Sequence, residues 1–395
     1  MENAAGKPPF LAGLGGLRAL AALAVLAGHA LAWLTPLPSH PYLAVPAARL
    51  TQAGLSGFFV LSGFVLFYTH APRPGAGPFR PGRFAVARLA RVYPVYLLLL
   101  AANTVGPLLK EPDFFSRCAV SLPAHLALVQ TWFFAPQSPS VFPIGWAVST
   151  EAFFYLLFPL LLRPVQALPT RRAALTAAGL ALGAAAAGDA MIAASWPTLF
   201  ARVARDHPDY ADRAVELGGL YFQWLTYTAP YLRALEFLCG MATARFFLLG
   251  GRGPAWLGPA AGIGLVALAA APFPRNSFFL SVLANNALYA PLLAAVCLAL
   301  AARAPAWAGW RATTALAGAS LSVYLLQPLT LEPWQALAKH GPGWWLAAVP
   351  CGMAATVAVG LFLARRVEAP AARRVMGLFA PRPGRPGKAA GAPRD

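Results

Sequence analysis

The chain is organised around one apolar stretch, residues 14–33, which reads LGGLRALAALAVLAGHALAW. A run of about twenty apolar residues is long enough to cross a bilayer as an α-helix. Within it stand one arginine and one histidine, Arg18 and His29. Their spacing corresponds to a rise of about 16 Å and a rotation about 20° from three full turns, so both share one helix face. Ionisable residues are costly inside a membrane helix, and such a pair indicates a path or a functional site.

The whole chain has the composition of an integral membrane protein. Its 395 residues are 58% hydrophobic and 11% charged, whereas soluble domains contain about 25% charged residues. The net charge of +18 does not indicate nucleic-acid binding, because the arginines stand at the ends of apolar runs rather than in one basic domain. We therefore expect a lipid bilayer around the chain and no nucleic-acid partner.

Ten apolar runs are long enough to span a bilayer as helices. They cover residues 14–34, 52–69, 84–108, 145–162, 173–195, 226–249, 255–272, 281–302, 313–332 and 344–364. A shorter apolar patch at residues 121–134 is expected to be interfacial or re-entrant. With both termini in the cytoplasm, most of the 31 Lys and Arg residues fall on the cytoplasmic side, as the positive-inside rule requires.

The sequence thus predicts an all-α, polytopic membrane helix bundle with about ten transmembrane helices and both termini cytoplasmic. The expected location is the cell membrane. We expect residues 1–13 to form a cytoplasmic N-terminal segment and residues 14–364 to form the transmembrane domain. Residues 365–395 are rich in Pro, Gly and Arg, which predicts a basic, disordered cytoplasmic tail near anionic lipid.

Few ionisable residues lie inside the predicted spans. Arg88 and Arg91 stand three apart at the cytoplasmic start of the third span and share a face. Glu151 in the fourth span is expected at the depth of His29, roughly 7 Å below the outer boundary. A carboxylate there can orient a histidine that acts as a general base. Together with Arg18, the two arginines suit phosphate groups, so the layout predicts a phosphorylated donor whose reactive end lies near His29.

Each of these residues also has a structural interpretation, which the spacing leaves open. Arg88 and Arg91 can be positive-inside anchors, Glu151 can be a buried residue that locks helix packing, and His29 can be a core histidine. For Arg233 and Glu236, one turn apart in the sixth span, a structural ion pair is favoured over catalysis. The structural interpretation is also favoured for the five remaining histidines, which are His40, His70, His125, His207 and His340. No metal site is expected.

Six segments, in order along the chain, resemble motifs of the acyltransferase-3 family of membrane O-acyltransferases. They are GLRALA at residues 16–21 with His29, FFVLSGF at 58–64, RLARVYP at 88–94, WAVSTEAFFY at 146–155, RALEFLCG at 233–240 and SVYLL at 322–326. The resemblance covers the chain from about residue 10 to 365.

The resemblance implies a ten-helix enzyme that takes an acyl group from cytoplasmic acyl-CoA, acetyl-CoA above all, with no permanently bound cofactor. It implies a hydroxyl acceptor on a carbohydrate, such as an envelope polysaccharide precursor, or on a macrolide-like small molecule. By this resemblance His29 is catalytic, and Glu151 is catalytic or supporting. The residues that would bind the CoA phosphates are Arg18, Arg88 and Arg91. The other supporting residues are Ser149, Tyr155, Arg233 and Glu236.

Two positions depart from the family pattern. Ser56-Gly57 stands where the family often has an acidic residue before the Phe-Phe pair, and Gln327 stands where the ninth-helix motif often ends in histidine. The resemblance therefore does not imply a proton relay through these positions, and the catalytic hypothesis depends more on His29. The alternative function is a non-enzymatic transporter or flippase in which the same charges form a permeation path. The ordered motifs and the missing internal repeat favour the enzyme.

Overall fold

The computed structural model describes residues 8–36, 40–73, 77–111, 114, 119–136, 140–271, 278–341 and 343–378. In this described part the secondary structure consists of helices and turns. The α-helices are, in chain order, α1 (Ala12–Leu34), α2 (Ala44–His70), α3 (Pro81–Lys110), α4 (Leu122–Leu126), α5 (Trp146–Gln166), α6 (Arg171–Asp206), α7 (Ala214–Gln223), α8 (Pro230–Leu248), α9 (Leu257–Ala270), α10 (Phe278–Asn285), α11 (Ala290–Ala302), α12 (Arg311–Ala338), α13 (Trp345–Leu363) and α14 (Ala369–Leu378).

Within the described ranges, eight helical stretches are long and apolar enough to cross a membrane. The predicted all-α polytopic bundle is therefore confirmed, although two of the ten predicted spans differ from the rest. Helix α8 carries Arg233, Glu236 and Arg245, which lower its apolar content. Helix α9 is apolar but has only 14 residues. Helix α8 packs closely against α2 and α6.

Helix α2 lies between α1 and α8 and packs closely against both. At its crossing with α8 the two backbones touch through glycines. A Cβ atom on Gly63 would clash with the carbonyl oxygen of Phe237, and one on Gly240 would clash with that of Val60. Small residues that allow such close approach are typical of membrane helix interfaces.

Helix α2 also begins eight residues before the predicted span, at Ala44. Arg49, in this added part, is buried and its guanidinium donates to the carbonyl oxygens of Leu268, Ala269 and Ala271. These carbonyls belong to the end of α9, where the helix leaves them without an internal partner. A cation at a helix C-terminus is also favoured by the helix dipole, so Arg49 caps α9.

The described residues between α3 and α5, 119–136 and 140–145, fold back into the bundle. The Tyr96 hydroxyl donates to the His125 carbonyl at 3.1 Å, and the Tyr324 hydroxyl donates to the Ile144 carbonyl at 2.9 Å. Tyr324 stands midway along the 28-residue helix α12. Helix α5, which begins two residues after Ile144, therefore starts near the middle of the bundle and not at its outer face.

The tail that composition predicts to be disordered from residue 365 is helical as far as Leu378. A π-helical turn, Ala364–Glu368, continues α13 and is followed by α14, which packs against α3. The composition misled because the arginines and the apolar residues lie on different faces: Arg373 and Arg374 are exposed, whereas Val375 and Met376 are partly buried. Residues 379–395 of the predicted tail lie outside the described residues.

Candidate active site

One cavity inside the bundle brings together the three arginines that the sequence predicted to act together. Arg18 of α1 and Arg88 and Arg91 of α3 line it, together with Glu151 and Tyr155 of α5. Glu151 and Tyr155 stand one helical turn apart on α5 and therefore share one face. We call this space the arginine cavity.

The helix ends explain why these side chains meet. One end of the bundle, which we call the basic end, contains the starts of α1, α3 and α12, the ends of α2 and α5, and helix α14. Arg18 stands six residues inside α1, and Arg88 stands seven residues inside α3. Both are therefore about 10 Å from the basic end along their helices. The arginine cavity lies at that depth.

The arginine cavity carries an excess of positive charge. Three partly buried guanidinium groups line it against a single lining carboxylate, that of Glu151. Arg91 pairs with Glu368 at 3.9 Å, while the Nε atom of Arg88 is buried without a hydrogen-bond partner. Uncompensated charge in a low-dielectric interior is costly, so the cavity favours an anionic ligand.

The structure places Glu151 with the arginines and not beside His29. From Ile144, at the level of Tyr324, α5 runs seven residues towards the basic end before it reaches Glu151, which is about 10 Å. His29 contacts Gln327, one turn beyond Tyr324 in the opposite direction. The two side chains are thus about 15 Å apart in depth. The prediction that they share a depth was wrong, because it assumed that α5 begins at the outer face.

His29 is held by a polar and an aromatic partner instead. Its Nδ1 atom lies 2.5 Å from Oε1 of Gln327, and its ring stacks on Trp33 with 4.9 Å between centroids and 6° between planes. Because an amide oxygen only accepts hydrogen bonds, Nδ1 carries the proton in this pair. In the neutral ring the other nitrogen, Nε2, is unprotonated, which is the form that a general base requires.

Arg233 and Glu236 form the ion pair that their spacing favoured. Their charged groups lie 3.1 Å apart and both side chains are fully buried. Arg233 also donates to Ser56 at 3.3 Å and to the Tyr227 carbonyl at 3.1 Å. Its guanidinium lies 5.4 Å from the ring centre of Phe59, which lines the arginine cavity. The pair thus supports one wall of the cavity from outside.

Ser149 joins the re-entrant segment to α5. Its hydroxyl donates to the Leu128 carbonyl at 2.9 Å and accepts from the Thr131 hydroxyl at 2.9 Å. The Trp132 indole donates to the Ser149 carbonyl at 3.2 Å. Ser149 is buried and does not line the arginine cavity, so its contacts place it in the support of α5.

Two residues of this region were not predicted as site members. Gln327 was noted only as a departure from the family pattern, yet it is the partner of His29. Glu368 accepts from Ser322 at 2.9 Å and pairs with Arg91, although it lay in the predicted disordered tail. The sequence feature that could have indicated a role for Glu368 is that it is a lone carboxylate between Arg365, Arg366 and the following arginines.

Comparison with known proteins agrees with this architecture. The acyltransferase domain family Acyl_transf_3 matches residues 11–365. The chain is 32% identical over 270 residues to Acyltransferase MdmB of Streptomyces mycarofaciens, which covers 66% of this chain and 62% of that protein. It is 40% identical over 88 residues to Protein 2 in picA locus of Rhizobium radiobacter, covering 22% of this chain and 41% of that protein.

A third relative is a provisionally named O-acetyltransferase, SACOL0978 of Staphylococcus aureus (strain COL), with 26% identity over 166 residues, 40% of this chain and 25% of that protein. The aligned part is thus less than two thirds of the length of each of these relatives. No solved structure matches the chain significantly.

The long apolar helices of the described residues are those of a multi-pass membrane protein, and the family match covers nearly the whole bundle. The chain belongs to the acyltransferase-3 family.

Proposed function

We propose that this protein transfers an acyl group, acetyl above all, from acyl-CoA to a hydroxyl group of a carbohydrate or another small-molecule acceptor at the cell membrane. The observation that carries the proposal is the arginine cavity, where three guanidinium groups outnumber one lining carboxylate. Arginine groups bind phosphates strongly, and CoA carries several. The relatives named as an acyltransferase and an O-acetyltransferase support the acyl group and the oxygen acceptor.

In the proposed mechanism Arg18, Arg88 and Arg91 hold phosphate groups of the acyl donor. His29 acts at the thioester, which lies at the other end of the donor molecule. Arg18 and His29 share a face of α1 and differ by about 16 Å in depth. A donor with a long flexible arm between its phosphates and its thioester, such as CoA, suits this separation. Glu151 then belongs to the donor-binding group, where it fixes the arginine side chains through charge attraction.

The chemical step needs one base. Nε2 of His29 takes the proton of the acceptor hydroxyl while the hydroxyl oxygen attacks the thioester carbonyl carbon. The bond between carbon and sulfur then breaks, the acceptor keeps the acyl group, and the thiolate leaves with the proton that His29 returns. The partly exposed Trp33 ring beside His29 offers an aromatic face to a sugar or macrocycle.

Acyl transfer by the purified protein tests the proposal. The protein is reconstituted in lipid nanodiscs with radiolabelled acetyl-CoA and a panel of hydroxyl acceptors. We expect His29→Ala to lower the transfer rate by at least 100-fold, the usual contribution of a general base. The matched control is His340→Ala, at an exposed histidine, which should keep the full rate.

Two results would contradict the proposal. A folded His29→Ala variant with a normal rate would exclude His29 as the base. Wild-type protein that neither hydrolyses nor transfers the thioester with any acceptor would contradict the enzyme, and would favour the transporter.

A further inference from the structure

A wide groove at the basic end lies next to the arginine cavity. Its walls are the end of α2, residues 71–72 and 77–80, the first turns of α3, the last turns of α5 and Met376 of α14. It encloses about 1230 Å³. Phe84 lines the groove, Arg88 lines the arginine cavity, and the Arg88 guanidinium lies 5.8 Å from the Phe84 ring centre. These two side chains therefore form the partition between groove and cavity.

The groove is basic. Arg80, Arg83 and Arg163 line it, and no carboxylate stands among the described residues of its lining. The three arginines are exposed, and no ion pair with a carboxylate in the described part of the chain occupies Arg80 or Arg83. A concave surface with charges of one sign concentrates ligands of the opposite sign.

The arginines continue from the groove into the cavity along one side of α3. Arg83, Arg88 and Arg91 project within about 140° of one another, and the rise from the first to the last is about 12 Å. Arg83 faces the groove, whereas Arg88 and Arg91 face the arginine cavity. One elongated ligand with phosphates at separate points can therefore contact all three.

The floor of the groove is aromatic. The His70 ring makes edge contacts with Phe79 and Phe84, at 5.7 and 5.2 Å between centroids, and all three residues line the groove. Aromatic side chains beside a basic surface are the usual receptor of a nucleobase, because every base presents a flat π face. The groove thus combines the two features that a phosphorylated nucleoside requires.

We propose that this groove binds the nucleotide end of the acyl donor, a phosphorylated adenosine. Arg80, Arg83 and Arg163 contact the phosphate on its ribose, while the diphosphate and the acyl-bearing arm pass Phe84 into the arginine cavity. The inference rests on the proposed function, since it assumes a donor of the acyl-CoA type. It adds a site outside the arginine cavity and assigns the ends of the donor to different residues.

The test compares donors with and without the nucleotide. Initial rates are measured in nanodiscs with acetyl-CoA, with acetyl-dephospho-CoA and with S-acetyl-pantetheine, for the wild type and for Arg83→Gln and Arg163→Gln. We expect each substitution to raise KM for acetyl-CoA about tenfold, the usual loss of one charged hydrogen bond, while kcat stays unchanged. KM for S-acetyl-pantetheine, which has no nucleotide, should not change.

The matched control is Arg171→Gln, at an exposed arginine of α6 outside the groove, which should leave every KM unchanged. Equal effects of Arg83→Gln on acetyl-CoA and S-acetyl-pantetheine would overturn the inference while the proposed function stands. The inference also fails if the effect is present with phosphatidylglycerol and absent in nanodiscs of phosphatidylcholine alone, because the groove then holds a lipid phosphate. No turnover of any donor by the wild type would instead refute the proposed function.

Discussion

Replacing Gln327 by methionine tests whether its amide oxygen holds His29 in the form of a base. Oε1 of Gln327 lies 2.5 Å from Nδ1 of His29, and the other amide atom, Nε2, is buried without a partner. Methionine has a similar length, removes the oxygen acceptor of His29 Nδ1 and adds no unpaired polar atom of its own. Without that acceptor the proton on the His29 ring can move from Nδ1 to Nε2, and Nε2 is the nitrogen that must be unprotonated in the proposed mechanism.

The size of the effect follows from one neutral hydrogen bond. Such a bond contributes about 0.5–1.5 kcal/mol net, which corresponds to about a 2- to 12-fold loss of rate. We expect the loss in kcat, because the bond orients the base and does not contact the donor phosphates. Gln327→Glu keeps an oxygen acceptor and should recover most of the rate.

The assay is acetyl transfer in nanodiscs with saturating donor, with the melting temperature of each variant measured in parallel. Gln335→Met, two turns further along α12, makes the same chemical change at a partly buried glutamine and should keep the wild-type kcat. The reasoning is refuted if Gln327→Met has the wild-type kcat, or if Gln327→Glu loses as much activity as Gln327→Met.

Three further perturbations test the cavity and the fold. Glu368→Gln removes the carboxylate that pairs with Arg91 at 3.9 Å. KM for acetyl-CoA should fall about two- to fivefold, as for the loss of one weak ion pair, and an unchanged KM in donor titrations would contradict this competition. Gly240→Ala should destabilise the protein by about 1–3 kcal/mol, because its Cβ atom would clash with the Val60 carbonyl. Gly179→Ala is the control, since a Cβ atom there meets open space, and it should be neutral or stabilising. Equal melting temperatures of the two variants would refute the close contact at Gly240. The Nε2 atom of His125 accepts a hydrogen bond from Ser140 at 2.8 Å, and burial lowers the pKa of His125. Neutral His125 therefore stabilises the fold above the ordinary histidine pKa of about 6.5, and this stabilisation is lost as the pH falls below that value. The melting temperature should depend less on pH between pH 7 and 5 in His125→Gln than in the wild type, and an equal dependence would count against this role.

Much of the donor-binding region could be predicted from the sequence because it depends on helical period and charge cost. Arg18 and Arg88 stand six and seven residues inside helices whose starts the positive-inside rule places at one end, and Arg91 follows Arg88 by about one turn. The rise of an α-helix then brings all three to within about one turn of the same depth without any knowledge of tertiary contacts. Because the three arginines lie at similar depths, they can line one cavity.

The partners of these residues could not be predicted in the same way. The depth of Glu151 depends on where α5 begins, and α5 begins inside the bundle because Tyr324 holds Ile144 there. Hydropathy records the length of an apolar run but not whether the preceding segment re-enters the bundle. Glu368 stood in a basic, Pro-rich stretch whose composition resembles disorder, and only its packing against α3 made it a partner of Arg91.

The sequence alone therefore determined the class of fold, the apolar helices and the presence of ionisable groups inside them, because each follows from the cost of exposing polar groups to lipid. The tertiary structure alone decided which of these groups meet. It separated His29 from Glu151, joined His29 to Gln327 and joined Arg91 to Glu368. The physical reason is that contacts between helices depend on register and starting depth, and these are set by long-range packing.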